Sequence, residues 1–419
     1  MNVKRGLAIV LAIALLLKIY LILYFKTYAH PVTWEFEDLV NNMLSGKGFV
    51  YSFLGTDYRS LNTPLYSFIC LAVYAVTNHS YFAVLLLQSL VTIFLACAVF
   101  SIAKTMFSER AGFIAAVLVS LHPGFMYYDV FNLIPLSIDS FFIAIVTLLF
   151  LKFKDTLTVT KMSAIGAIIG LGTLSRGILG ALLPFMSVYI ILFMKQLIRS
   201  KIKCIAALWV AAFIVIAPWV VRNFIIHKEL VFISSTSGEN LYRGNSPYAL
   251  GTSLTEDGRS VRDLWPKEIK DKVARLDEIG QKKFFEKEAM DFIRNNPLQF
   301  IKLYCKKIYY FWWFSPQSGT IYPKIYLGLY TCIYLIMGVF SAFGALAALL
   351  FRGKRTRDNA FLLVFIIMSI CLTQSLFYVE GRHRWLIEPL LMVFVSYGIT
   401  EMWAFFIKKC RPVTAGAAV

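Results

Sequence analysis

The sequence predicts an all-α polytopic membrane protein. Of its 419 residues, 58% are hydrophobic and only 16% are charged, and the mean hydropathy of +0.67 is far above that of soluble globular domains. Apolar runs long enough to cross a hydrocarbon core of about 30 Å recur along the chain. The formal charge of +18 comes mostly from short basic connectors between these runs, where cations orient a protein in the bilayer and meet anionic lipids. The charge therefore indicates membrane lipids as partners and no nucleic acid.

The apolar runs predict a bundle of about 10 to 11 transmembrane helices. They occur at 6–25, 64–77, 82–103, 111–128, 132–151, 161–194, 204–221, 323–350, 360–378 and 386–407. The first run follows Lys4 and Arg5 and is too long for the apolar part of a signal peptide, which indicates a signal-anchor helix. The run 161–194 is too long for one straight helix. Several glycines surround Arg176 at its middle, so we expect a broken helix there that lines a cavity.

Basic connectors predict the orientation of the chain. Lysine and arginine cluster at 195–203 and 352–357, and both ends of the chain are also basic, so these parts should be cytoplasmic. If 161–194 makes one net crossing, the segments 26–63, 222–298 and 380–384 then lie outside.

This orientation divides the chain into three parts. We predict an N-terminal transmembrane module at 1–221 with its first external loop at 26–63, an external loop domain at 222–298 and a C-terminal transmembrane module at 299–419. The external domain should contain an amphipathic helix near 267–294 and should be too small for a core of its own. The segment 299–314 mixes lysines with aromatic residues, which is typical of a tilted or re-entrant helix at the interface.

The first external loop carries a cluster of carboxylates. One apolar helical face would be formed by Trp34, by Leu39 or Val40, and by Met43. This pattern predicts a short interfacial helix that ends at Gly46. Either Glu35 or Glu37 is a candidate general base. The alternative is that these carboxylates form only the solvated face of the helix.

Four arginines lie in or near the membrane or on its external side, where few cations are expected. They are Arg176, Arg222, Arg382 and Arg384. The planar guanidinium group can bind two phosphate oxygens at once, and it stabilises an anionic leaving group in a low-dielectric cleft. We therefore predict a phosphate-binding site. His383 is either a third donor or a spacer between two arginines.

Further polar residues lie beside these arginines. Asp139 falls within an apolar run, so it should either line the cavity or pair with a cation such as Arg176. Asn223 and Asn245 lie in the external segment and offer amide contacts or turn chemistry.

Metal and disulfide chemistry find little support in the sequence. None of the seven cysteines lies in a CxxC motif, and no histidine-rich spacing predicts a zinc site. A divalent ion at Glu35, Glu37 and Asp38 is conceivable, but no feature of the sequence supports it, and we predict no metal ligands and no certain cofactor.

Four motifs, in this order, resemble those of the GT-C membrane glycosyltransferases, in the bacterial branch similar to protein O-mannosyltransferases. They are Trp34-Glu35 with Asn42 and 46–49; Pro64-Leu65-Tyr66; Pro218-Trp219 with Arg222-Asn223 and Gly244-Asn245; and Arg382-His383-Arg384 with Pro389. The resemblance implies a GT-C-like bundle in the bacterial inner membrane. It also implies a polyprenyl-phosphate sugar donor in a cleft open to the outside, and a glycan, lipid or protein acceptor.

The resemblance assigns activation of the acceptor hydroxyl to Glu35 by position. Many relatives carry Asp or Asp-Glu where this chain has Val32-Thr33, and this departure leaves open whether Glu35 or Glu37 is the base.

The expected reaction is an inverting transfer of a hexose or pentose at the external face. Arg382 and Arg384 would hold the leaving phosphate, with help from Arg222 or Arg176. The external segments contain neither a nucleotide-binding glycine loop nor an Asp-x-Asp motif, which argues against a nucleotide-sugar donor. Two alternatives remain: a flippase or transporter of a lipid-linked glycan, and a glycan polymerase or ligase.

Overall fold

The computed structural model describes residues 3–53, 56–316, 318 and 324–410. The N-terminal module consists of helices and one short hairpin. Its elements are α1 (Val3–Tyr24), α2 (Glu35–Leu44), β1 (Tyr51–Phe53), β2 (Thr56–Tyr58), α3 (Pro64–Thr77), α4 (Tyr81–Met106), α5 (Glu109–Ser120), α6 (Pro123–Phe131), α7 (Leu136–Phe153), α8 (Val159–Ser175), a 3-10 turn (Gly177–Ala181), α9 (Leu182–Phe193) and α10 (Ile198–His227). The two strands are antiparallel, with Tyr51 opposite Tyr58.

The rest of the chain forms the polar domain at 222–298, for which we keep the predicted name external domain, and a second helical module. The elements are α11 (Ser237–Gly244), a 3-10 turn (Val261–Leu264), α12 (Lys267–Ala274), α13 (Glu278–Asn295), α14 (Pro297–Trp312), α15 (Lys324–Leu350), α16 (Lys354–Gln374), α17 (Gly381–Trp385) and α18 (Glu388–Cys410).

The architecture confirms the predicted all-α polytopic membrane protein. Within the described residues, six helices are long and apolar enough to cross a membrane, namely α1, α4, α7 with its following turn, α10, α15 and α16. Helices α5 and α6 together make a seventh candidate that bends by 41°. The predicted number of about 10 to 11 also counts shorter apolar helices such as α3, α8 and α9, which are too short to pass the same test.

The long run 161–194 is broken as predicted. Helix α8 ends at Ser175, Arg176 takes an extended conformation with φ −150°, and a 3-10 turn leads into α9. Two glycines let α8 pack closely against α10. A Cβ atom at Gly166 would lie 2.1 Å from the Leu208 carbonyl oxygen, and one at Gly170 would lie 2.8 Å from the Ala212 oxygen.

The interfacial helix of the first external loop is also present. Helix α2 buries Leu39 and Val40, and the chain turns out of it at Gly46 with a φ of +79°, which glycine adopts without strain. This helix packs against α3, which begins the next apolar run.

Two expectations about the external domain are wrong. The domain has a small core of Tyr242, Trp265, Phe285 and Ala289, because α11 and α13 pack together and cover these rings. The amphipathic segment near 267–294 is two helices, α12 and α13. The break between them is fixed by Asp277, whose side chain accepts a hydrogen bond from the Gly280 amide at 2.8 Å and caps α13.

Residues 299–312 of the segment that was expected to be tilted or re-entrant lie within a single helix, α14, and Trp313 and Phe314 follow its end.

Two buried links stabilise the arrangement of the N-terminal module, one inside the module and one to the external domain. Lys18 in α1 forms an ion pair with Asp129 in α6 at 2.5 Å, and the Glu278 carboxylate accepts hydrogen bonds from the amides of Arg59 and Ser60. The second link joins the first external loop to the external domain.

Candidate functional site

Glu37 belongs to a buried polar cluster beneath α2. Its carboxylate accepts hydrogen bonds from the Tyr74 hydroxyl at 2.8 Å and the Tyr81 hydroxyl at 3.2 Å, and it lies 2.9 Å from His79 Nε2. These contacts tie α2 to α3 and α4. A carboxylate with its acceptor positions filled in this way is poorly placed to take a proton from a substrate.

Glu35 has different surroundings, although it lies in the same helical turn. Its side chain is partly exposed, and it forms no hydrogen bond or ion pair within the described residues. Burial and the negative charges of Glu35 and Asp38 raise the pKa of Tyr51, which places the Glu35 carboxylate beside the hairpin of the first external loop.

Arg382 links α17 to the first external loop. Its Nε lies 2.7 Å from the Glu380 carboxylate, and its guanidinium carbon lies 5.2 Å from the centroid of the Trp34 ring. Trp34 directly precedes Glu35. The structure thus brings together two residues that are almost 350 positions apart in the chain, as the phosphate-site hypothesis requires.

Glu380 holds Arg382 in this position as an anion. Burial alone would raise the pKa of Glu380, but the charges of Arg382 and His383 and a hydrogen bond from the Ser253 hydroxyl outweigh it, and the pKa is about 2. Ser253 belongs to the external domain, so this domain also helps to position the loop.

His383 is buried beside Arg382 in α17. Its Nδ1 accepts a hydrogen bond from the Glu380 amide at 3.1 Å. Burial lowers the pKa of His383 to about 3; Glu380 acts against this shift, and the positive charges of Arg382, Arg176 and Arg243 add to it. His383 is therefore neutral at physiological pH.

Asp139 pairs with Arg176, which confirms one of the two alternatives predicted for this carboxylate. Arg176 Nε lies 2.6 Å from Asp139 Oδ2, and the Ser175 hydroxyl donates to Oδ1 at 2.6 Å. Asp139 is fully buried, whereas 24% of the Arg176 side chain is exposed. The ion pair anchors the break between α8 and α9 to the first turn of α7.

Arg384 points into the bundle, away from Arg382. Its Nε lies 2.7 Å from the Glu388 carboxylate, and its guanidinium lies 3.8 Å from the Tyr334 ring centroid. Glu388 also lies 2.5 Å from His122 Nε2. With the Arg384 side chain only 1% exposed, this network positions α17 and α18 and leaves no guanidinium surface for a ligand.

Arg222 and Asn223 hold the first external loop against the end of α10. Arg222 donates to the carbonyl oxygens of Arg59 at 2.5 Å and Phe49 at 3.3 Å. Asn223 accepts from the Ser60 hydroxyl at 2.9 Å and donates to the Val231 carbonyl oxygen at 3.1 Å.

Asn245 holds the external domain against the membrane modules. Its Nδ2 donates to the Leu376 carbonyl oxygen at 2.7 Å, and its Oδ1 accepts from Lys307 Nζ at 2.9 Å. Lys307 in α14 is fully buried and has no ion-pair partner within the described residues. Lys307 does not stand out in the sequence, because its pattern resembles that of the other interfacial lysines in 299–314.

Arg243 is a further cation of the site that the sequence analysis missed. Its guanidinium lies 4.4 Å from the Tyr378 ring centroid, and one of its terminal nitrogens donates to the Ser253 carbonyl oxygen at 3.4 Å. Its Nε is buried and has no hydrogen-bond partner in the described part of the chain. The only signal for it was its place just before the Gly244-Asn245 turn.

Arg176, Arg243 and Arg382, together with Glu35, define the candidate site. They come from the broken helix, the external domain, α17 and the first external loop. Among the described residues, no group of three or more histidine, cysteine, aspartate or glutamate side chains could hold a metal ion.

Comparisons with known proteins agree with this architecture. The family model for dolichyl-phosphate-mannose-protein mannosyltransferases matches residues 62–221. No curated protein sequence matches the chain.

The chain is similar to solved membrane-protein structures over nearly its whole length. ArnT from Cupriavidus metallidurans, bound to undecaprenyl phosphate, is 12% identical with a TM-score of 0.61; the match covers 97% of this chain and 63% of that one. The oligosaccharyltransferase AglB from Archaeoglobus fulgidus, in complex with an inhibitory peptide and a dolichol-phosphate, is 13% identical with a TM-score of 0.54; the match covers 99% of this chain and 52% of that one.

These likenesses confirm the predicted GT-C fold and the resemblance on which it was based. The chain spans about half the length of AglB and less than two thirds of the length of ArnT.

Proposed function

We propose that the protein is an inverting glycosyltransferase that moves a sugar from a polyprenyl-phosphate-linked donor to an acceptor hydroxyl. The reaction takes place at the external, periplasmic face of the bacterial inner membrane, with both termini in the cytoplasm. The family match and the fold support this class of reaction, and the solved structures of ArnT and AglB with undecaprenyl phosphate and dolichol-phosphate support the donor.

The placement of Arg382 over the Trp34 ring, next to Glu35, is the observation that carries the proposal. Glycosyl transfer from a lipid phosphate needs a base for the acceptor and a cation for the leaving group, held at separate points of one site. Within the part of the chain that the structure describes, Glu35 forms no ion pair with an arginine, and Arg382 is held by Glu380.

In the proposed reaction, the Glu35 carboxylate takes the proton of the acceptor hydroxyl as the oxygen attacks the anomeric carbon. The bond from that carbon to the phosphate oxygen breaks, and the lipid phosphate leaves with the electron pair. Arg382 and Arg243 stabilise the charge on the departing phosphate, and Arg176 lies at the edge of the same site. Because the guanidinium of Arg384 is enclosed, we assign it a positioning role for α17 rather than a phosphate contact.

The test is sugar transfer by the purified protein from a panel of polyprenyl-phosphate sugars, with hexose and pentose donors. Glu35→Gln should lose most of its turnover, since the amide cannot accept the proton, and general-base catalysis typically contributes about 10²–10⁴ in rate. Asp38→Asn removes a neighbouring carboxylate of the same helix and should keep most of the wild-type rate.

Loss of transfer in Glu37→Gln with full activity in Glu35→Gln would assign the role of general base to Glu37 instead of Glu35. If no donor is turned over and a lipid-linked glycan instead crosses liposome membranes, the protein is a flippase and the proposal is wrong.

A further inference from the structure

A cavity of about 520 Å³ lies at the end of the bundle opposite the candidate site. It opens between the last turns of α7 and α9, the end of α15 and the start of α16. Helix α7 carries Asp139 in its first turn and leads into Lys154 at the cavity, 15 residues later, which corresponds to about 22 Å along a helix. The two sites therefore lie at opposite ends of the membrane module.

The charged lining of this cavity is unbalanced and unpaired. Four cations face two carboxylates, which gives a net charge of +2. The cations are Lys154, Lys195, Lys354 and Arg357, and the carboxylates are Asp155 and Asp358. Within the described residues, none of the six forms an ion pair at 4.0 Å or less.

Lys154 is the most informative of these groups. Its side chain is only 6% exposed, yet it lines the cavity and has no hydrogen bond within the described chain. The carboxylates of Asp155 and Asp358 offset only part of the positive charge of the lining. An anion in the cavity would provide the remaining counter-charge, and a phosphate group is the anion for which several converging lysine and arginine side chains are best suited.

A second polar group of the cavity lining, the amide of Gln196, lacks a hydrogen-bond donor for its oxygen among the described residues. The Oε1 atom of Gln196 is buried and accepts no hydrogen bond in the described part of the chain. Together with the carboxylates of Asp155 and Asp358, it offers acceptors that a bare phosphate cannot satisfy. A headgroup with hydroxyl groups beside its phosphate provides an anion for the cations of the lining and donors for its acceptors.

One wall of the cavity is apolar. The rings of Phe193 and Phe361 lie 4.7 Å apart, Tyr189 packs against both, and Leu349 adds an aliphatic surface. The volume is in the range of small-molecule pockets, which is more than a phosphate group alone requires. The wall can therefore cover the hydrocarbon next to a headgroup.

We infer that this cavity binds a phosphate ester that carries hydroxyl groups, with a phospholipid headgroup as its source. Lys154 holds the phosphate inside, Lys354 and Arg357 add positive charge around it, and Gln196 and the two aspartates accept from the hydroxyl groups. The inference makes no use of the external site, so it holds whether or not the proposed glycosyl transfer is correct.

The test is ligand binding to the purified full-length protein by native mass spectrometry. Short-chain phosphatidylglycerol is titrated in one arm and glycerol 3-phosphate in the other. Lys154→Met keeps the length of the side chain and breaks no ion pair, so the variant should fold, and its affinity for phosphatidylglycerol should fall about tenfold or more. Lys203→Met removes an exposed lysine near the start of α10, outside the cavity, and should bind like the wild type.

Lys354→Met, at an exposed lysine of the lining, gives an independent second variant and should weaken binding to a lesser degree. Binding of glycerol 3-phosphate as tight as that of the lipid supports the phosphate site and assigns it to a soluble ester. Binding of neither ligand, or equal lipid affinity in Lys154→Met and the wild type, overturns the inference.

Discussion

Glu35 and Glu37 lie two positions apart in α2, and so do Arg382 and Arg384 in α17. Residues at this spacing point to different sides of a helix. In each pair one member is enclosed: Glu37 by Tyr74, His79 and Tyr81, and Arg384 by Glu388 and the Tyr334 ring. The other members, Glu35 and Arg382, turn toward the same external region. Residue type alone could not separate the members of either pair, because the helix direction and the facing elements decide which one is enclosed.

Replacement of Arg382 by alanine should reduce glycosyl transfer by about 10² to 10³, as expected when one preorganised stabiliser of developing charge is lost. The initial rate is measured with a donor that the wild type uses. Arg259→Ala is the control, since the Arg259 side chain is 64% exposed and its ion-pair partner is the nearby Asp257. An undiminished rate in Arg382→Ala, with protein that unfolds at the wild-type midpoint, contradicts the assignment.

His383 should make the protein less stable in mild acid. Burial lowers its pKa from 6.5 to about 3, so the unfolded chain takes up a proton first as the pH falls. The stability contribution is complete above pH 6.5 and is lost progressively down to about pH 3. Between pH 7 and pH 5 the loss should be about 2 kcal/mol from this group.

His383→Gln keeps an acceptor for the Glu380 amide and has no titrating ring. Chemical unfolding in detergent at several pH values should therefore show a flatter profile for this variant than for the wild type. Identical profiles would show that His383 is not the titrating group in this range.

At the scale of elements, the structure depends on where helices stop. The break at Arg176 was predictable, because a mostly apolar run of 34 residues cannot be one span and its glycines mark the weakest point. Helix α2 was predictable from its apolar periodicity. The division of 267–294 into α12 and α13 was not, since continuous amphipathic character conceals the cap formed by Asp277. Arg243 and Lys307 were also missed, because their burial depends on how the external domain docks onto α14 and the loop after α16.

The contact between α8 and α10 should be sensitive to a single added methyl group. In Gly166→Ala, the new Cβ meets the Leu208 carbonyl oxygen at 2.1 Å, and backbone atoms cannot move aside as a side chain can. The variant should lose about 1–3 kcal/mol of stability or more, as is usual for overpacking. Gly338→Ala in α15 is the matched control, since no atom lies within 4 Å of the position that its new Cβ would occupy. Equal unfolding midpoints for the two variants would show that the helices do not pack this closely.

At the scale of the whole molecule, buried ion pairs connect separate helices. Lys18 joins α1 to α6 through Asp129, Arg176 joins the helix break to α7 through Asp139, and Arg384 joins α17 to α18 through Glu388. The hydrophobic effect does not favour one helix arrangement over another within a membrane, so polar pairs of this kind select the arrangement. The Arg176 pair belongs to the candidate site, and Arg384 lies two residues from Arg382, so these two pairs fix the framework of the site.

The Lys18–Asp129 pair gives the sharpest test of this organisation, since neither residue belongs to the candidate site. Lys18→Met leaves the Asp129 carboxylate buried without its cation, although the Thr92 hydroxyl still donates to it at 2.5 Å. Removal of one partner of a buried pair typically costs about 3–5 kcal/mol, so the variant should unfold at a much lower denaturant concentration. The double variant Lys18→Met/Asp129→Asn removes both charges and keeps a polar group for Thr92, so it should recover most of the loss. If the single and double variants are equally destabilised, the lost stability comes from packing of the lysine stem, and charge pairing does not hold α1 in the bundle.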